Sequence, residues 1–442
     1  MAYYFPPRGG APVQRSLKFV KYLREFGWEP TVLTTRFERG GAADDSLAGE
    51  IPPGTKVVEV PSRERLFIRL AEKGLGRLVG LLLRPDAHIE WAGKAAGAGF
   101  GLHNEEPFDL VYTSLQPWSA GYVGLRLSRL ARLPWVCDFR DPWTESLHLE
   151  WPSRRHFLAD RRRERLFLSI AERSLVVTPT MRDEFLAAHP DLAAERVAVL
   201  YNGYDEDDMS GPPAADDGRF TVVFTGRFQY DWGESALDGP PGGRLRSRAR
   251  DLLTYKPRRA RIDTHSPVYF LRALAGLLSD RPELRADFRV VFAGTVGEGN
   301  RRLIRELGLG DVVECPGYLP HRESVALVRS ADALLLPMFS GRAGERVAYA
   351  SGKVFEYIAA RKPIITLAPE GDAREIASRS RLGFPAEPDD PDDIRRVVEG
   401  IYQSWKSGRP AASPDEEYIR SFRRRELTGR LASIFDEVLE GG

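Results

Sequence analysis

Short apolar runs alternate with longer amphipathic stretches along the whole chain. In the first half the pattern predicts strands over 31–35, 56–60, 110–114, 135–138, 175–178 and 197–200. Helical periodicity falls between them, for example over 12–26, 87–102, 120–131 and 155–173. In the second half strands are expected over 221–225, 289–293, 312–315, 333–336 and 364–367, and helices over 268–278, 300–307, 323–330 and 392–405. Strands separated by crossover helices build parallel α/β sheets, so each half reads as a doubly wound, Rossmann-type unit. At 442 residues the chain exceeds one ordinary core, and two domains are expected. Asn202-Gly203-Tyr204-Asp205 and the polar stretch 206–218, with Gly211-Pro212-Pro213, carry turn and linker chemistry. The hinge is placed near 203, giving domains 1–203 and 204–414.

Two features disturb this plan. Tyr3-Tyr4-Phe5 runs straight into Pro6-Pro7-Arg8-Gly9-Gly10, so the first strand reads as a stub or as the remainder of one whose start lies upstream. Between a strand and its expected helix lies an insert over 231–266, with Gly239-Pro240-Pro241-Gly242-Gly243 and seven arginines from Arg244 to Arg261. It is far longer than an ordinary βα loop and is read as a lid or, by preference, a disordered excursion.

Charge and composition then narrow the function. The 64 basic and 63 acidic residues nearly cancel, so no nucleic-acid partner is advertised. Nine of the basic residues are lysine and the other 55 arginine, a bias that coding composition explains more simply than ion-pair stability. Cys137 and Cys315 give no metal spacing and suit a reducing compartment. No run reaches the ~18 apolar residues of a membrane span, and the N-terminus lacks the form of a signal peptide. A cytoplasmic protein is expected, peripheral at most. The stretch 65–83 alternates basic and apolar faces, as a membrane-surface helix or a buried helix with an arginine-rich outer side would.

The most informative segment is Ser351-Gly352-Lys353-Val354-Phe355-Glu356-Tyr357, which opens a helix that Lys362-Pro363 ends. A helix N-terminus with free N–H groups suits a phosphate, Lys353 adds charge there, and Glu356 can accept from sugar hydroxyls. An amphipathic helix with a surface Lys–Glu pair reads equally well in isolation. Three further segments sit where strands end. Arg8-Gly9-Gly10 opens the first helix, either as a ligand approach or as a tight turn. Asp138-Phe139-Arg140-Asp141-Pro142-Trp143 follows an apolar strand and offers either functional carboxylates or a self-neutralising cluster. Thr225-Gly226-Arg227 places a cation at a strand end, though many other arginines could be singled out. Gly317-Tyr318-Leu319 follows another strand and leaves backbone groups to read a base, or is a plain turn. No HExxH, GxSxG, GxGxxG or Walker loop is present.

Taken in order, these segments resemble the group-1, family-4-type retaining glycosyltransferases of the GT-B fold, over nearly the whole chain. The resemblance implies two facing Rossmann-type domains with an interdomain cleft. The first would bind a glycan or lipid-linked acceptor, and a C-terminal helix within about 415–442 would complete it. The second would bind a nucleotide-diphosphate sugar. It implies that Arg227, Lys353 and Gly352, approached by Gly9 and Gly10, hold the diphosphate without a metal, and that Glu356, Gly317, Tyr318 and Leu319 hold the nucleoside. Arg140 and Asp141 would stand at the catalytic position, and no cofactor beyond the donor is expected. The chain departs from the family pattern at three points. Ala348 stands where the earlier of two paired glutamates belongs, with Glu345 out of register. Gln229-Tyr230 replaces a lysine after the Gly-Arg pair, and Arg140 stands where many members carry a histidine. These leave a non-catalytic nucleotide-sugar-binding protein of a glycan assembly complex as the alternative, and a nucleotide-sugar epimerase behind it.

Overall fold

The computed structural model describes every residue except 37–43, 76–79, 82, 216, 234–253, 343 and 442. The chain forms two compact units. Unit 1 comprises Met1–Asn202, Leu253–Pro257 and Arg424–Gly442; unit 2 comprises Gly203–Leu252 and Arg258–Arg423.

In unit 1, β1 (Val32–Thr35) pairs in parallel with β2 (Val57–Val60). The strands β3 (Val111–Ser114), β4 (Trp135–Phe139), β5 (Arg173–Val176) and β6 (Val197–Val199) pair in that order, also parallel. The stub at the start of the chain joins the two sets. Ala2 donates its N–H to Leu33 O (3.1 Å), and Ser114 donates to Met1 O (3.0 Å). Tyr3, fully buried, packs edge-on against Trp91 at 4.8 Å. The Met1 amine donates to Tyr112 O at 2.7 Å, and burial pushes its pKa down to about 5. β5 starts two residues before the expected run because Arg173 and Ser174 already pair with Val136 and Cys137.

Helix Ala11–Tyr22 continues as a 3₁₀ turn over Leu23–Phe26 and stops at Gly27, whose φ of 82° is left-handed. Phe19 and Leu23 pack with Leu427, Leu431 and Phe435 of the C-terminal helix Arg424–Glu440. The return to unit 1 therefore comes at Arg424, later than the expected 415. The short helix Glu416–Arg420 stays with unit 2, where Arg361 bonds Glu416 and Phe422 packs on Phe355.

Unit 2 holds, among the described residues, a six-stranded parallel sheet in the order β12-β11-β10-β7-β8-β9. Its strands are β7 (Phe220–Arg227), β8 (Phe288–Thr295), β9 (Val313–Gly317), β10 (Ala333–Pro337), β11 (Ile364–Leu367) and β12 (Gly383–Ala386). The pattern missed β12, which carries Pro385, and Pro316 sits in β9 at the opposite edge. Proline donates no ladder bond, so both strands can stand only at an edge.

Two expectations are corrected. Within 65–83 the helix Glu64–Leu70 gives way to a turn broken at Gly74, φ 81°, so the described part is no continuous amphipathic helix. Residues 76–79 and 82 of that stretch lie outside the described residues. The insert 231–266 is not one excursion from unit 2. At its far end Tyr255 and Trp151 exchange two backbone hydrogen bonds (2.7 and 3.0 Å) and Lys256 pairs with Glu150 at 2.7 Å, all within unit 1. From Arg258 the chain is in unit 2 again. The question of a lid or disorder falls largely on 234–253, outside the described residues.

Candidate functional site

In unit 2 the sheet itself creates the site. β7 stays paired with β8 through Arg227 and Thr295, and β10 with β11 through Pro337 and Leu367. Between β7 and β10, pairing runs only over Val222–Ala333 and Val223–Leu334. The two strands then part at their carboxyl ends, at the point where strand order reverses and open α/β sheets bind ligands.

Helix Gly352–Ala359 starts at that point, with Ser351 as its N-cap accepting from Lys353 N at 3.3 Å. Lys353 folds back so that its Nζ lies 5.6 Å from the Phe224 ring centroid. A Cβ on Gly226 would stand 2.6 Å from Lys353 Cε and 2.9 Å from Nζ, and Gly226 has φ 116°. Only glycine fits there. Gly294, φ 120°, lies beside it on β8, and a Cβ there would reach Gly226 O at 2.0 Å. The two glycines form a flat floor beneath the lysine. Burial lowers the Lys353 pKa, with the Glu356 carboxylate opposing. Arg227 ends β7 on the exposed side, and no ion-pair partner is seen for it or for Lys353 among the described residues. Lys353 thus lies against glycine backbone in the first turn of a helix, and Arg227 ends the strand that carries this glycine.

Of the remaining expected residues, Gly352 is the exposed first residue of this helix and Glu356 lies one turn in. Gly317, φ 86°, ends β9, two strands from β7; Tyr318 beyond it is 82% exposed and Leu319 half-buried. Ala348 is 4% exposed. Glu345 is held by Arg258 at 2.8 Å and accepts from Arg342 N at 2.8 Å, so its carboxylate already serves to fix a turn.

In unit 1, Asp138, the penultimate residue of β4, is fully buried and is bonded by Arg15 through Nε (2.8 Å) and Nη2 (2.9 Å) and by the Tyr112 hydroxyl (2.5 Å). Arg15 Nη1 also donates to Tyr201 O at 2.7 Å. Arg140 donates to Leu115 O (2.6 Å), Gln116 O (3.1 Å) and Pro12 O. It thereby fixes the first turn of helix Ala11–Tyr22 to the loop after β3. Gly10, φ 94°, caps that helix, and Gly9 precedes it. Trp143 stacks on Trp118 at 4.8 Å, and Thr144 is held by Glu164 through its N–H and hydroxyl. The loop carrying Asp141 is thus anchored on both sides. Burial raises the Asp141 pKa to about 6, against the pull of Arg140. Sequence reasoning missed Arg15, Tyr112, Glu164, Gly294 and Tyr357. Of these, Tyr357 had a signal, four residues after Lys353 on the same helix face.

Among the described residues no group of three or more His, Cys, Asp or Glu is arranged to hold a metal ion, and no helix is long and apolar enough to cross a membrane.

Comparison with known proteins gives this geometry a family. Residues 10–203 match the model of the glycosyl transferase 4-like domain, and residues 261–412 that of glycosyl transferases group 1. A D-inositol 3-phosphate glycosyltransferase of Streptomyces avermitilis is 26% identical over 331 residues, 70% of this chain; the match spans 62% of that relative. A glycosyltransferase from Rickettsia africae superposes with a TM-score of 0.62 at 14% identity, covering 97% of this chain and 96% of that one. HepE of Anabaena, solved in complex with UDP, gives 0.58 at 16%, covering 97% and 98%. At those identities the structures speak for the fold alone. The chain belongs to the group-1 glycosyltransferases of the GT-B fold.

Proposed function

We propose that the protein transfers a sugar from a nucleotide-diphosphate donor to a glycan or lipid-linked acceptor, with retention of configuration and without a metal. Unit 2 holds the donor. Lys353, Arg227 and the N–H groups at Gly352 take the diphosphate, while Glu356 and the Gly317–Leu319 turn take the nucleoside. Cleavage of the anomeric C–O bond builds charge on the leaving diphosphate, and fixed cations stabilise that charge most in the transition state. Unit 1 holds the acceptor, with Gly9 and Gly10 in the turn that Arg140 clamps. Arg140 spends its donors on backbone carbonyls, so its part is to position Asp141. The reaction is assigned to the cytoplasm.

The observation that carries the reading is the Gly226–Lys353 cradle at the switch point of the sheet. The alternative, a nucleotide-sugar-binding protein without catalysis, draws on Ala348, which offers no carboxylate to a donor sugar. The test is release of nucleoside diphosphate from a panel of nucleotide sugars, with and without glycan and lipid acceptors. Binding without release from any donor would sink the enzyme and leave the binding protein.

A further inference from the structure

The backbone of β7 shows how the cradle is kept in place. Its N–H groups alternate sides, and those of Thr221, Val223 and Thr225 point toward β10. Thr221 N–H is met by the Asp332 carboxylate at 2.9 Å, and Val223 lies in the ladder opposite Leu334. Thr225 comes after the strands have parted, and its N–H instead donates to the Tyr357 hydroxyl at 3.2 Å. Thr225 is 6% exposed and Tyr357 fully buried, so no solvent would take over this N–H. Burial also raises the Tyr357 pKa to about 12, which keeps the hydroxyl neutral.

Tyr357 lies four residues after Lys353, on the same face of helix Gly352–Ala359. One helix face thus touches three successive residues of β7: Lys353 over Phe224 and against Gly226, Tyr357 on the N–H of Thr225 between them. We infer that Tyr357 is a positioning residue for the diphosphate receptor. Its hydroxyl replaces the missing β10 partner, holds the two strands apart, and fixes the height of Lys353 above the Gly226–Gly294 floor. It touches neither phosphate nor sugar.

This inference rests on the donor reading of unit 2, and the experiment separates the two. Wild-type protein is titrated with UDP, GDP and ADP, and the tightest is carried forward together with its nucleoside. The same pair is measured on Tyr357→Phe, Lys353→Ala and the double variant. Tyr357→Phe should weaken the diphosphate about tenfold, the size of one lost hydrogen bond, and the nucleoside less than twofold. In the Lys353→Ala background it should add almost nothing, because it acts through that lysine. Equal weakening of diphosphate and nucleoside, or full additivity with Lys353→Ala, would reduce Tyr357 to a packing residue. Should wild type bind none of the diphosphates, the donor reading falls and this assignment with it. Amide hydrogen exchange on the wild type keeps the idea open to refutation if Tyr357→Phe does not fold. The Thr225 amide should be protected before any ligand is added, and exchange at the rate of an open loop would overturn the assignment.

Discussion

Gly226→Ala tests the cradle at its tightest point. The substitution adds one methyl group, yet two effects follow from the geometry. A φ of 116° lies outside what an alanine adopts without strain, costing about 1–3 kcal/mol of stability. The new Cβ would also stand 2.6 Å from Lys353 Cε, so the lysine must leave its place over Phe224. Losing one charge-assisted contact to a diphosphate removes about 1.5–3 kcal/mol of binding, roughly 10–150-fold in Kd. Gly308→Ala is the control: φ is 66° there and nothing lies within 4 Å of an added Cβ, so it carries backbone strain without the clash. The assay is calorimetric titration with a nucleoside diphosphate, alongside urea unfolding of each variant. Both variants should lose stability, and only Gly226→Ala should lose affinity. If Gly226→Ala binds within twofold of wild type, Lys353 does not meet the diphosphate from this position.

Other expectations follow from the same geometry. Lys353→Ala should abolish turnover while leaving the melting temperature nearly unchanged, since burial already works against its charge; a large loss of stability would make the lysine structural. Asp141 is ionised less readily in the fold than in the unfolded chain, so its stabilising contribution is complete below about pH 4 and is lost as pH rises through about 6. Asp141→Asn should therefore be more stable than wild type at pH 7.5, by at most about 3 kcal/mol, and indistinguishable from it near pH 4; a gain at both pH values would refute that origin. Asp138→Ala leaves the Arg15 guanidinium buried beside Tyr201 O without its carboxylate and should cost about 3–5 kcal/mol in chemical denaturation. Ala348→Glu places a charge at a buried position and should destabilise by about 1–3 kcal/mol; a variant as stable as wild type with higher turnover would mean the pocket still accepts the family's glutamate.

Much of the fold was legible because apolar runs set the strands, and parallel strands buried on both faces write themselves plainly in sequence. β12 was not legible, since Gly383-Phe384-Pro385-Ala386 is only four residues long and carries a glycine and a proline, neither of which reads as a strand interior. Arg227 could be found from its strand-end position, and Lys353 from its place in the first turn of a helix. Their relation to Gly226 and Gly294 could not, because the close approach depends on where β7 and β10 stop pairing. Arg140 shows the converse. Its residue type suggested chemistry, and the fold turns its guanidinium onto three backbone carbonyls. Side-chain identity carries charge, whereas the partners that absorb that charge come from distant parts of the chain. The segment 65–83 likewise read as one amphipathic helix, and a single glycine at 74 ends the continuity.

The exchange of hydrogen bonds between Trp151 and Tyr255 bears on how this protein can be taken apart. A chimera built on the usual two junctions, near 203 and 423, would carry residues 254–257 along with a transplanted unit 2. The remaining unit 1 would lose the backbone partner of Trp151 and the ring that packs on Phe157. Grafts of unit 2 should therefore treat Leu253–Pro257 as belonging with unit 1 and place two additional splice points around it. The modular unit of inheritance here is discontinuous, and a recombination map drawn from linear order alone would cut through it.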